Sequence, residues 1–215
     1  MVFNDRAEAS RILTERLNEK NLEFDTIAGI PKGGLFIGSK LAPYFDAELE
    51  VIGVDSLTLP NYEKFELGAV ADDGTLWVED KAVRGLDIPG EVIESSRLKA
   101  LKNAQKIYDT YNTGDRDLRG KSVLLVDEGA NRSNYLMAAI GLLKKNNAGK
   151  ITVALPVASR DVVMDINAIA DKSLIVEQPR FLSSVEAYFD SVYQRIKFKE
   201  WLKKVNIGIK TKFWL

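Results

Sequence analysis

The sequence predicts an α/β fold: a mainly parallel twisted sheet flanked by helices, with an inserted β-hairpin, built as one domain over residues 1–215. Three observations predict it. Short apolar runs alternate with segments of helical periodicity, the pattern of strand–helix–strand units whose sheet is covered on both faces. One run, Val123 to Val126, is apolar at every position, as a strand at the centre of a parallel sheet must be. Asp72-Asp73-Gly74, between Leu67–Ala71 and Leu76–Val78, reads as a hairpin turn. The length suits one sizeable core and is short for two.

The elements follow in order. Asn4-Asp5 is a helix start, and Ile12, Leu13 and Leu17 give the helix an apolar face. A strand is expected from about Phe24 to Ile30; Pro31-Lys32-Gly33-Gly34 breaks it and opens a second helix through about Leu41. Leu49 to Val54 reads as another buried strand, and the hairpin follows. A long charged helix is expected from about Glu91 to Tyr111, then a loop from Gly114 to Gly120 and the Val123–Val126 strand. Asn134 to Lys145 is a helix, Ile151 to Leu155 a strand, Arg160 to Ala170 a helix and Leu174 to Val176 a strand.

Composition narrows the chemistry. Hydrophobic residues at 46% and charged residues at 28% are the mix of a soluble globular protein. No apolar run approaches bilayer-spanning length, and the first residues lack a basic stretch followed by an apolar one. A cytoplasmic protein with no membrane partner is therefore expected. The chain has no cysteine and no histidine, which excludes disulfides, Cys/His zinc sites, cysteine nucleophiles and imidazole-based triads. What remains is chemistry driven by positioning and electrostatics. The net charge of −1 is uneven: Arg195 to Leu215 carries seven Lys/Arg against Glu200 alone. Such a tail can serve an acidic partner. Val192, Ile196, Leu202 and Val205 recur at near-helical spacing, however, so a packed amphipathic helix with a solvated lysine face is favoured over nucleic-acid binding.

In parallel sheets ligands bind at the carboxyl ends of strands, which singles out two loops. In Pro31-Lys32-Gly33-Gly34, the glycines permit close backbone approach, the helix start offers free amides, and Lys32 adds charge. This suits a phosphate or pyrophosphate, and equally a plain strand-to-helix turn. In the second loop, Asp127-Glu128 ends a buried strand and Gly129-Ala130-Asn131-Arg132-Ser133-Asn134-Tyr135 follows. The acidic pair can accept hydrogen bonds from vicinal sugar hydroxyls or hold magnesium. Adjacent strand residues face opposite ways, so both reach one ligand only where the chain is already turning. Ser133, Asn134 and the next helix's amides can cup a phosphate, helped by Arg132. The plainer reading has the acids satisfying loop amides and Asn131 or Ser133 capping the helix.

These motifs, in this order and spacing, resemble the type I phosphoribosyltransferase family over most of the chain. The apolar strand with Asp127-Glu128-Gly129 resembles its 5-phosphoribosyl diphosphate loop, and Ile30-Pro31-Lys32-Gly33-Gly34 its Pro-Arg-Gly-Gly pyrophosphate loop. Leu67-Gly68-Ala69-Val70-Ala71 with Asp73-Gly74 resembles its intervening hairpin. Pro156-Val157-Ala158, and Val185 through Tyr188, Phe189, Asp190 and Gln194, match members of uncertain substrate. The resemblance implies that Asp127 and Glu128 are the catalytic pair on the ribose hydroxyls. It puts Gly129, Ala130, Asn131, Arg132, Ser133 and Asn134 around the 5-phosphate, and Lys32, Gly33 and Gly34 at the pyrophosphate. It implies magnesium bridging the pyrophosphate, with no protein metal ligand assigned, and a homodimer. The implied reaction exchanges pyrophosphate for a nitrogen base at the anomeric carbon.

Two departures stand out. Where the family continues Ala-Thr-Gly-x-Thr, this chain reads Asn131, Arg132, Ser133, Asn134, Tyr135, so a glycine has become Ser133 and a threonine Tyr135. Where relatives carry a basic pair after the second strand, Asp55-Ser56 stand. Both weaken anion binding. Lys81 and Arg84 lie where members have a closing loop but read as solvated cations, and Trp77 reads as packed in the sheet or at a subunit contact rather than stacked on a base. The expectations are therefore a sugar-phosphate or nucleotide site with transferase activity, or a non-catalytic relative that binds a nucleotide or a protein.

Overall fold

The computed structural model describes residues 3–31, 33–60, 62–79, 88–111 and 114–190. Five parallel strands form the main sheet in the order β2-β1-β6-β7-β8: β1 Thr26–Gly29, β2 Glu48–Val51, β6 Ser122–Val126, β7 Lys150–Val157 and β8 Lys172–Glu177. A second, antiparallel sheet holds β3 Val54–Leu59, β4 Tyr62–Ala71 and β5 Leu76–Val78. The helices are α1 Arg6–Asn18, α2 Gly33–Leu41, α3 Gly90–Tyr111, α4 Asn134–Lys145 and α5 Arg160–Ile169.

The side-chain alternation of each strand sorts the core into two layers. Ile27, Leu124, Val126 and Ala154 face α1 and α2, meeting Leu13, Leu17, Ile37 and Leu41. Ala28, Val123, Leu125, Val153 and Leu155 face the other way, against Ile140 and Leu143 of α4 and Val162 and Ile166 of α5. Asp5 caps α1 by accepting from the Glu8 amide at 2.8 Å, and Ser159 caps α5 by accepting from the Val162 amide. The hairpin forms as expected, with Gly74 in its turn at φ +85°.

One expected element divides. The apolar run Leu49–Val54 serves two sheets: β2 ends at Val51 and β3 begins at Val54. Gly53 at the joint lies under α3, where an added Cβ would sit 2.2 Å from the Ala104 carbonyl. α3 can come this close only because the backbone at Gly53 is bare. Beside this joint Arg116 is nearly buried. It donates to both Asp72 oxygens at 2.7 and 3.0 Å, to the Val51 carbonyl at 2.7 Å and to Glu50 at 3.3 Å, and stacks over the Tyr108 ring. Asp72 also accepts from the Gly53 amide at 2.7 Å. This network ties β2, the hairpin turn and the end of α3 together. The basic segment 195–215, with its expected amphipathic helix, lies outside the described residues, as does Gln194.

Candidate functional site

The carboxyl ends of the neighbouring strands β1, β6 and β7 bring the two loops together. The Ile30 amide donates to the Val126 carbonyl at 3.2 Å, which draws the first loop onto the end of β6. A Cβ on Gly34 would sit 2.4 Å from the Val126 carbonyl oxygen and 2.9 Å from the Asp127 Cα. A Cβ on Gly33 would overlap the Glu128 carboxyl group. Gly34 is thus required by its close approach to backbone, whereas at Gly33 it is the mobile end of the Glu128 side chain that fills the space. Lys32 lies outside the described residues.

The two carboxylates have different neighbours. Asp127 keeps part of its surface accessible and lines a cavity of about 340 Å³, shared with Glu66, Gly129, Arg132, Asn134 and Tyr135. Burial, reinforced by the charge of Glu128, pushes its carboxyl up to about 8; amides of Glu128 and Gly34, and the positive charge of Arg6, pull the other way. Glu128 turns toward α1, where its Oε2 accepts from Arg6 Nε at 2.5 Å. The Arg6 guanidinium also lies 5.9 Å from the Phe189 ring centroid. Phe189 is held beside Phe3 by a bridge whose bonds include Phe3 amide to Tyr188 carbonyl at 2.8 Å.

The loop after the acids is anchored on β7. Gly129 has φ +148°, which disfavours a side chain, and an added Cβ would press on Val157 and Val185. The Ala130 amide donates to the Val157 carbonyl at 3.0 Å, and its carbonyl accepts from the Ser159 amide at 3.2 Å. Asn131 reaches the Ser183 carbonyl at 3.4 Å. Arg132 is exposed, with a guanidinium nitrogen 4.0 Å from Glu66. Ser133 stands at the N-cap of α4, but its hydroxyl donates to Asp165 at 2.6 Å instead of accepting from the helix amides. Asn134 is buried at the first turn of α4. Tyr135 is half-buried and hydrogen-bonded to Ser56; burial raises its hydroxyl above the ordinary tyrosine range. Asp55 accepts from Asn103 at 2.9 Å.

The structure therefore gathers Gly33, Gly34, Asp127, Glu128 and residues 129–134 at one end of the sheet. It places Tyr135 in the cavity wall and Asp55-Ser56 across from it on β3. Trp77 packs half-buried against the main core, and Lys81 and Arg84 lie outside the described residues. Arg6 and Glu66 were not singled out from sequence. Arg6 is 122 residues from its partner, and its only local signal is that it follows the helix-starting Asn4-Asp5. Glu66 lies on a strand whose alternation says nothing of a distant loop. Chemically, the arrangement offers hydroxyl-accepting carboxylates beside a helix start, with acids and cations closely interleaved.

Strand order, the two convergent loops and the acidic pair at the end of β6 define the class. The chain belongs to the phosphoribosyl transferase domain family, whose model matches residues 4–190. It is similar over its length to TT1426 from Thermus thermophilus, with a TM-score of 0.78 and 26% identity, covering 97% of this chain and 99% of that one. A candidate phosphoribosyl transferase of Mycobacterium tuberculosis is 27% identical over 186 residues, 86% of this chain and 42% of that protein. Rat amidophosphoribosyltransferase is 32% identical over 129 residues, 53% of this chain and 24% of that protein. The chain thus spans less than half the length of these curated relatives. Among the described residues no helix is long and apolar enough to cross a membrane.

Proposed function

We propose that the cleft between Gly33-Gly34 and Asp127-Glu128 binds a sugar phosphate or nucleotide, and that it transfers phosphoribosyl from 5-phosphoribosyl diphosphate to a nitrogen base. The observation that carries this reading is the acidic pair at the end of β6, pressed against a glycine pair that opens α2. In this reading Asp127, on the cavity wall, meets the ribose hydroxyls, while residues 129–134 and the start of α4 receive the 5-phosphate. The amides of Gly33 and Gly34, with Lys32, receive the pyrophosphate. A bound ligand carrying magnesium would draw the proton off Asp127, whose carboxylate would then favour the developing positive charge at the anomeric carbon.

No group of three or more acidic, histidine or cysteine side chains is assembled among the described residues. In this reading magnesium is an ion carried by the substrate's phosphates and touched by one or two carboxylates, Asp127 first. When bound, it would offset the charge of the diphosphate. A cytoplasmic homodimer belongs to the same reading, and sedimentation of the purified chain checks the dimer.

A second reading, a non-catalytic relative, is favoured by particular contacts. The Ser133 hydroxyl is given to Asp165, the Tyr135 oxygen takes up the Ser56 donor, and Glu66 stands with Asp127 on the cavity wall. Each removes a donor or adds negative charge where a phosphate would sit. Calorimetric titration with 5-phosphoribosyl diphosphate and magnesium tests the first reading, beside a folded Asp127→Ala, Glu128→Ala variant. Saturable binding in the parent that the variant lacks, followed by pyrophosphate release with a base, supports transfer. Binding without release supports the non-catalytic reading, and no binding overturns the site.

A further inference from the structure

The geometry points to Arg6 as an anion-binding residue of this cleft: it neutralises Glu128 beneath the Gly33 loop and offers its terminal nitrogens to the diphosphate end of the ligand. This assignment rests on the reading of the cleft as a sugar-phosphate site.

Three observations place Arg6 there. Its Nε donates to Glu128 Oε2, and the same Glu128 carboxyl lies against Gly33, the first residue of α2, so the guanidinium stands beside the pyrophosphate-side loop. Only 21% of the side chain is exposed. Among the described residues its two terminal nitrogens have no hydrogen-bond partner, although a guanidinium carries five donors. A largely covered guanidinium with unspent donors is suited to paired contact with two oxygens of a phosphate.

The charges give the reason. An anion drawn to the Gly33 and Gly34 amides approaches Glu128. Without Arg6 the anion would meet an uncompensated carboxylate. Arg6 cancels that charge and keeps donors in hand. Its position is fixed from behind: Phe189 lies under the guanidinium, and Phe189 is bound to Phe3, which precedes α1 by a few residues. Both ends of the described chain thus hold Arg6 at the acidic pair.

The test titrates inorganic pyrophosphate, 5-phosphoribosyl diphosphate and adenosine monophosphate, with magnesium, into the parent, Arg6→Lys, Arg6→Ala and Phe189→Leu. Circular dichroism and melting establish that each variant folds. Phe189→Leu disturbs the backing of Arg6 but keeps its charge. Arg6→Ala is expected to weaken pyrophosphate and 5-phosphoribosyl diphosphate at least about tenfold, the loss of one charge-assisted hydrogen bond. The monophosphate should change less than about threefold, Arg6→Lys should recover part of the loss, and Phe189→Leu, which loosens Arg6 but keeps its charge, should lose less than Arg6→Ala. Equal losses for all three ligands, or losses in Phe189→Leu matching Arg6→Ala, overturn the assignment by showing that Arg6 acts only through the fold. If Arg6→Ala does not fold, Arg6→Lys decides: parent-like pyrophosphate affinity with lost monophosphate affinity overturns it. If the parent binds the monophosphate but no pyrophosphate, the function stands and Arg6 falls. If it binds pyrophosphate in an Arg6-dependent way but neither ribose ligand, Arg6 stands and the ribose reading falls. No binding of any of the three overturns both.

Discussion

Replacing Asp127 with asparagine should stabilise this protein at alkaline pH. In the folded chain the Asp127 carboxyl is pushed up to about 8 from the ordinary 3.8, by burial and by the charge of Glu128. The folded state therefore keeps a proton that the unfolded state has released. Stability falls as pH rises through the window from about 4 to about 8 and levels off above it. Each tenfold gain in proton affinity corresponds to about 1.4 kcal/mol, so the full displacement would amount to about 5–6 kcal/mol. Asp127 retains some solvent access, and discounting for it leaves about 2–3 kcal/mol. Asparagine has the same shape, no charge, and an oxygen to accept the Glu128 amide that Asp127 Oδ1 accepts at 2.7 Å. Glu50, whose carboxyl burial also raises, contributes the same slope to both proteins and cancels in the comparison. The assay is urea unfolding of parent and Asp127→Asn at several pH values. The variant's advantage should widen by about 2 kcal/mol between about pH 5 and pH 8. Parallel stability curves, or a variant that loses ground as pH rises, would refute the reasoning. The expected result describes a group kept at a cost in stability, which is common where a side chain serves a ligand.

Three other predictions follow from the same structure. Arg116→Ala strands Asp72 and Glu50 in a nearly buried network and should lower unfolding stability by about 3–5 kcal/mol; a loss under about 1 kcal/mol would show a solvated pair instead. Gly34→Ala drives a Cβ against the backbone of Val126 and Asp127, so it should cost about 1–3 kcal/mol and abolish ligand binding, measured by denaturation and calorimetry; an unaffected variant would mean that the loops do not meet as described. Tyr135→Thr removes a ring from the cavity wall and returns a hydroxyl to the loop, so ribose 5-phosphate should bind several-fold tighter, and unchanged or weaker binding would show that the ring does not obstruct.

Most of the fold is legible in the sequence because its signals are local. Val123–Val126 is apolar at each position, so it reads as a central strand and is one, with β1 and β7 as neighbours. The two glycine-bearing loops are legible as well, since a strand end, a glycine pair and a helix start occupy consecutive residues. Leu49–Val54 reads wrongly as one strand because periodicity records burial, not which sheet buries it. Gly53 marks the break only once α3 is seen lying on it. Within the site, what escapes the sequence is long-range. The pairing of Arg6 with Glu128, of Ser133 with Asp165, and of Tyr135 with Ser56 depends on how elements stack, and no local pattern encodes it. The same contacts show how substituted loop residues are accommodated: Ser133 and Tyr135 each acquire a protein partner.

The most direct test is a crystal structure of the protein grown with ribose 5-phosphate and magnesium at saturating concentration. The phosphate should lie against the amides of residues 129–134, with the sugar hydroxyls within hydrogen-bonding distance of Asp127. Density for the ligand elsewhere, or an empty cleft with Tyr135 and Ser133 still on Ser56 and Asp165, would contradict it.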